Sequence, residues 1–192
     1  MYLNRELFLA SSSLRRKELL KKEGLSFTVI PNLLKDEEID LKNIRKSVKN
    51  LAYKKVLSSK NGYNGLILGV DTIVVIENII LGKPQSLEEA KRFLRLLSGK
   101  SHLVFSGLCL YDTLLKKTTK RSCITELEFK LLTDQEIDFY CTNYKVLDKA
   151  GAYAIQEYAG SFIKKIKGPI DNVIGLPMKI LLKLLKNYVI VS

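Results

Sequence analysis

Asp71 stands in the stretch 68–84, LGVDTIVVIENIILGKP, as a lone carboxylate inside a run of apolar, β-branched residues. A charge buried in such a strand is very costly unless it is paired, hydrogen-bonded or metal-bound. Two roles meet that demand: a structural ion pair, or a base or metal ligand at a reacting centre. A second chemical grouping lies at Ser11-Ser12-Ser13-Leu14-Arg15-Arg16, after the short apolar run 7–10. A strand, a serine-rich turn and a helix capped at Ser13 would present unpaired backbone N–H groups and a positive dipole end. Arginine's planar fork suits bidentate contact with phosphate. The pattern could cradle a phosphate or be an ordinary capped basic helix; it lacks the glycine spacing and Lys-Ser/Thr of a Walker loop. Lys55 falls on the face that Ile44, Val48 and Leu51 would bury in a helix over 44–57 capped by Asn43. It either snorkels to solvent or points inward at the same anion. The acidic run Lys35-Asp36-Glu37-Glu38 is a surface turn or a source of a carboxylate for a metal–phosphate complex.

The elements that must position these groups follow from local signals. Residues 73–76 and 79–81 read as two strands joined by a tight turn at Glu77-Asn78, which would bring Asp71 and Lys83 back towards each other. Ser86-Leu87-Glu88-Glu89 and Thr133-Asp134-Gln135-Glu136 each have capping-box spacing and predict helix starts. The first helix would carry the stripe Leu87, Ala90, Leu94 and Leu97 to a stop at Ser98-Gly99. Strands are predicted over 26–30, 102–111, about 124–131 and 160–167, with a polar turn over 113–120. Pro177 introduces a last helix through about Leu185, and Gly24 ends the first. The small residues of 150–154 allow close backbone approach. Interspersed strands and helices predict a mixed α/β class, a mixed sheet with flanking helices.

Composition bounds the partners. A chain of 192 residues is long enough for a sizeable core, and its net charge of +12 favours polyanions. The basic residues are dispersed, and no RRM, helix-turn-helix or zinc-finger pattern appears, which argues against nucleic acid. Cys109, Cys123 and Cys141 are widely spaced and odd in number, as expected of buried free thiols in a cytoplasmic protein. His102 is the only histidine, so a Ser-His triad or histidine metal cage is excluded; a packed residue at a strand entry is expected. No stretch approaches a membrane span, and 1–10 carries Arg5 and Glu6 where a secretory signal needs an apolar core.

Six segments together, LASSSLRRKELL at 9–20, GVDTIVV at 69–75, LGKP at 81–84, LSGKSHLVFSGLCLYD at 97–112, DKAGAYAIQ at 148–156 and NVIGLP at 172–177, resemble the Maf family of nucleoside triphosphate pyrophosphatases, also described as septum-formation inhibitors. The resemblance runs over essentially the whole chain and implies a single Maf-like domain, 1–192. It implies an elongated mixed sheet in two lobes, related to the inosine triphosphate pyrophosphatases, around a cleft. The implied reaction is hydrolysis at the α–β bond of a triphosphate to monophosphate and pyrophosphate, with a divalent metal, Mg or Mn. By position, the resemblance makes Asp71 the proton acceptor and sets Ser11, Arg15, Arg16, Lys55 and Lys83 against phosphate. It gives base selection to Arg15, Thr72 and Gln156, in the form of the dTTP/UTP branch, and offers Asp71 and Glu37 as metal ligands. Leu14 departs from the family pattern, which has proline there. A homodimer is allowed. The rival from another class is a basic factor that binds nucleic acid or division proteins and inhibits septum formation.

Overall fold

The computed structural model describes residues 3–32, 34 and 39–189. Glu37 and the acidic run 35–38 lie outside the described residues. Seven strands and six α-helices are described: β1 Leu7–Leu9, α1 Leu14–Lys22, β2 Thr28–Val29, α2 Ile44–Ser59, β3 Leu66–Ile76, β4 Ile79–Leu81, α3 Leu87–Leu97, β5 Ser101–Asp112, β6 Lys117–Phe129, α4 Asp134–Asn143, β7 Ile163–Lys167, α5 Ile170–Ile174 and α6 Met178–Leu185. The strands pair in the order β2-β1-β3-β5-β6-β7, with β4 on β3. β1 is parallel to β2 and β3, while the β3–β4 and β6–β7 pairs are antiparallel. The sheet is therefore mixed, as expected.

Two compact units divide the chain. The first comprises Met1–Asp71, Ser106–Cys123 and Gly175–Ser192. Leu7, Leu9, Leu66, Leu68, Leu108 and Leu110 build one of its cores with Leu181 and Leu185 of α6. Phe8, Ala10, Ile67 and Cys109 build another against Ala52 and Val56 of α2. The strand positions alternate between these two clusters, as the period of two requires. Gly69 and Gly107 let α2 lie onto the sheet. A Cβ on Gly69 would stand 2.1 Å from the Ala52 carbonyl oxygen, and one on Gly107 would stand 2.0 Å from that of Val48.

The second unit comprises Thr72–Phe105 and Ile124–Ile174. Its core joins Val74, Ile76 and Leu81 to Ala90, Leu94 and Leu97 of α3 and to Ile137 and Tyr140 of α4. Leu87 is the exception to the predicted stripe. It is 48% exposed at the first helical position, and Phe93 is buried in the helix instead. His102 is buried, T-shaped against Phe129 and Tyr153, with Nε2 2.8 Å from the Tyr153 hydroxyl. Burial pulls its pKa down to about 4, so the imidazole is neutral near pH 7. All three cysteines are buried free thiols.

Local signals and geometry agree closely at the turns. Glu77 and Asn78 have φ of 49° and 62°, the positive values a two-residue I′ hairpin turn demands, and Ile76 pairs with Ile79. α1 ends with the Leu25 N–H on the Leu20 carbonyl and the Gly24 N–H on that of Lys21, with Gly24 at φ +65°. The Thr133–Glu136 capping box is complete. The other is half made: Ser86 accepts from the Glu89 N–H, but Glu89 Oε2 accepts from Gln85 N–H. Ser13 sits at the N-cap of α1 without a side-chain cap bond. Several boundaries differ from expectation. Residues 117–120 belong to β6, because lysine on an exposed strand face reports solvent and not chain reversal. The strand expected from 160 begins at Ile163, after a 3₁₀ turn over Tyr158–Phe162. Of 26–30 only Thr28–Val29 is strand, though the Ile30 N–H still donates to the Leu9 carbonyl at 3.0 Å, and Pro177 is the N-cap of α6, one place before its first turn.

Candidate active site

Five of the expected residues, Ser11, Arg15, Arg16, Lys55 and Asp71, lie in the first unit; Ser11 bonds to Arg16 and Lys55 to Asp71, with Arg15 next to Arg16 on α1. Ser11 follows β1, where the chain leaves the sheet for α1. Arg16, in the first turn of α1, is buried, and its guanidinium is held at both ends. Nε donates to the Gly175 carbonyl at 2.9 Å and Nη1 to Ser11 Oγ at 2.8 Å. Ser11 Oγ also accepts from the Ser13 N–H at 3.4 Å, so its own proton is what it has left to donate. Burial lowers the Arg16 pKa to about 10, with Arg15 adding to the fall and the Asp71 carboxylate opposing it. Arg16 therefore stays charged at neutral pH, in the field of both residues.

Lys55 does not snorkel to solvent; it points inward, to the Asp71 carboxylate. Its Nζ lies 2.5 Å from Asp71 Oδ1 and 3.3 Å from the Val70 carbonyl oxygen. The two side chains are 18% and 15% exposed, so solvent still reaches the pair. Asp71 and Gly69 project to the same face of β3, by the alternation of a strand. Ala52 of α2 packs on Gly69, and Lys55 is about one helical turn further on. The close approach of helix and strand thus delivers the amine to the carboxylate. Leu14, the departure from the family pattern, is 70% exposed and touches none of these hydrogen bonds.

The remaining expected residues belong to the second unit. Thr72 is half-buried on β3, and Lys83 is exposed just beyond β4. The antiparallel ladder runs from Ile76–Ile79 to Val74–Leu81. The Gly151 N–H donates to the Gly82 carbonyl at 3.0 Å, so the segment before Lys83 is tied to the loop that carries Gln156. Gln156 is exposed. It occupies the third place of a turn closed by the Glu157 N–H on the Ala154 carbonyl, 3.1 Å. Sequence reasoning did not foresee the Gly175 carbonyl as an anchor of Arg16, nor Gly107 as a contact point for α2. A glycine within a predicted strand was the available signal for the second; no local signal marks the first.

Chemically, the first unit offers a fixed guanidinium, a serine hydroxyl, a second arginine and an amine on a carboxylate. Such a set can neutralise and orient a phosphate-rich ligand and hold a base beside it. A metal fits it only as a cation shared with that ligand. Among the described residues no three His, Cys, Asp or Glu side chains gather to cage an ion, whereas magnesium is commonly held by one or two carboxylates plus substrate phosphates.

Fold and side chains together define an α/β protein with a cationic group about a carboxylate set midway along a β-strand, chemistry suited to phosphorylated ligands. The family model described as Maf-like protein matches residues 6–188, and the chain belongs to that family. It is similar to the dTTP/UTP pyrophosphatase of Thermotoga maritima, 40% identical over 176 residues, covering 90% of this chain and 84% of that protein. The dTTP/UTP pyrophosphatase of Clostridioides difficile is 36% identical, covering 95% of this chain and 94% of its own. That of Bdellovibrio bacteriovorus is 38% identical, covering 95% and 98%. Among solved structures, the Staphylococcus aureus Ham1 protein matches with a TM-score of 0.52 at 15% identity, over 95% of this chain and 99% of that one, a likeness of fold. No helix among the described residues is long and apolar enough to cross a membrane.

Proposed function

We propose that this protein hydrolyses nucleoside triphosphates, dTTP and UTP before others, at the α–β bond to give the nucleoside monophosphate and pyrophosphate. The observation that carries the reading is the Lys55 amine 2.5 Å from Asp71 in the field of the anchored Arg16, in a chain related over most of its length to dTTP/UTP pyrophosphatases. Water attacks phosphorus, and its oxygen forms the new P–O bond. The bridging P–O bond breaks, and its electron pair leaves with pyrophosphate. Asp71 takes the proton lost by the water, while Lys55 keeps the carboxylate oriented for that transfer. Ser11, Arg15, Arg16 and Lys83 hold phosphate oxygens, so charge is neutralised before the bond breaks. A divalent cation, Mg or Mn, would add to that neutralisation, with Asp71 and Glu37 as its carboxylates. In this reading residues 1–192 act as one Maf-like domain on cytoplasmic nucleotide.

Lys83→Ala is the cleaner test of phosphate contact, because Lys83 is exposed and its removal leaves the core intact. Losing one charge-assisted hydrogen bond, worth ~1.5–3 kcal/mol, lowers kcat/KM by roughly 10- to 100-fold. The loss is the same for UTP and dTTP. Arg16→Ala has the same kinetic effect and also removes the buried Arg16 bonds to the Gly175 carbonyl and Ser11 Oγ, so it lowers the melting temperature as well. A shift in base preference at undiminished rate would remove both residues from the phosphate assignment.

Base selection is assigned to Arg15, Thr72 and Gln156. A glutamine amide can donate to O4 and accept from N3–H of uracil or thymine. A mismatched edge leaves polar groups unpaired, at a cost of ~1–3 kcal/mol. Pyrophosphate release from UTP and dTTP therefore exceeds that from ATP, GTP and 7-methyl-GTP, and Gln156→Ala erodes the discrimination more than the phosphate affinity. Equal kcat/KM for UTP and GTP in the wild-type protein would overturn the pyrimidine assignment and leave the broader pyrophosphatase reading.

A further inference from the structure

We infer that Glu157, held between Lys149 and Tyr140, is a positioning residue for base selection, because it clamps the turn that presents Gln156. This rests on the assignment of Gln156 to the base and extends it to three residues that need not touch substrate.

Gln156 stands in the turn formed by Ala154, Ile155, Gln156 and Glu157, and both feet of that turn reach one hydroxyl. The Ala154 N–H donates to Tyr140 Oη at 3.1 Å, and Tyr140 Oη donates to Glu157 Oε2 at 3.3 Å. The second Glu157 oxygen meets Lys149 Nζ at 3.3 Å. Lys149 is only 2% exposed; its amine also donates to the Lys145 carbonyl and to Asp148 Oδ1. A buried ammonium must be compensated, and here the compensation spans the loop from its start at Lys149 to its end at Glu157. Tyr140 is fixed in turn by its place on α4 and by stacking on Tyr144, 5.0 Å between ring centroids. Burial pushes its phenol well above the usual range, so the hydroxyl keeps its proton and remains a donor to Glu157.

The backbone of the same segment leaves little freedom. Gly151 and Ala152 both have positive φ, 71° and 65°, in the left-handed region that residues with a side chain rarely adopt. A Cβ on Gly160 would lie 2.7 Å from the Ile155 carbonyl oxygen, so the turn closes against the chain that follows it. An exposed glutamine selects a base only if its backbone holds still, since ordering a mobile loop on binding subtracts from affinity and from the difference between ligands. Lys149, Tyr140 and Glu157 supply that order in advance.

The test compares Glu157→Gln, Lys149→Met and Tyr140→Phe with Gln156→Ala. Each is near-isosteric except the last, and Glu157 is a third exposed, so Glu157→Gln tolerates folding even if Lys149→Met does not. The readouts are the ratio of kcat/KM for UTP to that for GTP and the inhibition constant of inorganic triphosphate, a probe without a base. The expected result is a ratio at least ~10-fold lower in the clamp variants with unchanged inhibition by triphosphate. A wild-type ratio in the folded clamp variants, with discrimination lost in Gln156→Ala, would overturn the clamp and leave the base assignment standing. A wild-type ratio in Gln156→Ala would overturn the base assignment and the clamp with it. Weaker inhibition by triphosphate in step with the ratio would show a general structural role and overturn the clamp.

Discussion

Asp71→Asn yields a folded protein whose release of pyrophosphate from UTP is ~10²–10⁴-fold slower, the range expected for loss of a general base or of a reacting carboxylate. The substitution keeps size and one carbonyl oxygen for Lys55 Nζ, which sits 2.5 Å from Oδ1 in the native protein. What it removes is the negative charge that accepts a proton and offsets Lys55 and Arg16. Because the pair is partly open to solvent, its contribution to stability is of the order of 1 kcal/mol. In a domain of this size that shifts Tm by only ~2–4 °C. Structural and catalytic roles therefore separate in two measurements. Near-native turnover with a large fall in Tm would make Asp71 a structural partner of Lys55 and nothing more. Slow turnover with a small fall in Tm is the expected pair.

Gly107→Ala is expected to lower both stability and activity, although residue 107 offers no side chain to any ligand. Its new Cβ would lie 2.0 Å from the Val48 carbonyl oxygen, 2.2 Å from the Val48 carbonyl carbon and 2.7 Å from the Lys49 nitrogen. These are backbone atoms inside α2 and cannot swing aside, so the helix must move off the sheet. Overpacking of this kind costs about 1–3 kcal/mol or more, a fall in Tm of several degrees. Lys55 lies two turns along the same helix, and displacement of α2 lengthens its contact with Asp71, so kcat falls with stability. Gly82→Ala is the control for stability, since nothing lies within 4 Å of a Cβ there, and its Tm stays within a few degrees of wild type. An unchanged Tm for Gly107→Ala would show that α2 is not seated as described.

What the sequence determined by itself was local. The hairpin at Glu77-Asn78, the helix starts at Asn43, Ser86 and Thr133, the stop at Gly24 and the strand read over about 124–131 all rest on residues within a few positions of one another. Propensity, capping and period two act at that range, and the segments that identify the family are contiguous as well. The mixed α/β class followed from their order. Tertiary structure decided burial and partnership, which depend on residues far apart in the chain. Arg16 and Gly175 are 159 positions apart, and no pattern around either announces the bond. Lys55 could have snorkelled; Gly69 and Gly107 brought α2 close enough for it to reach Asp71. Leu87 fits an apolar stripe by spacing, yet it faces solvent at the helix start while Phe93 takes the buried place. Lys149 is buried because its amine meets the Lys145 carbonyl, Asp148 Oδ1 and, from further along the chain, Glu157 Oε1. A sequence lists which groups can pair, but the depth at which a helix seats on a sheet decides which of them meet.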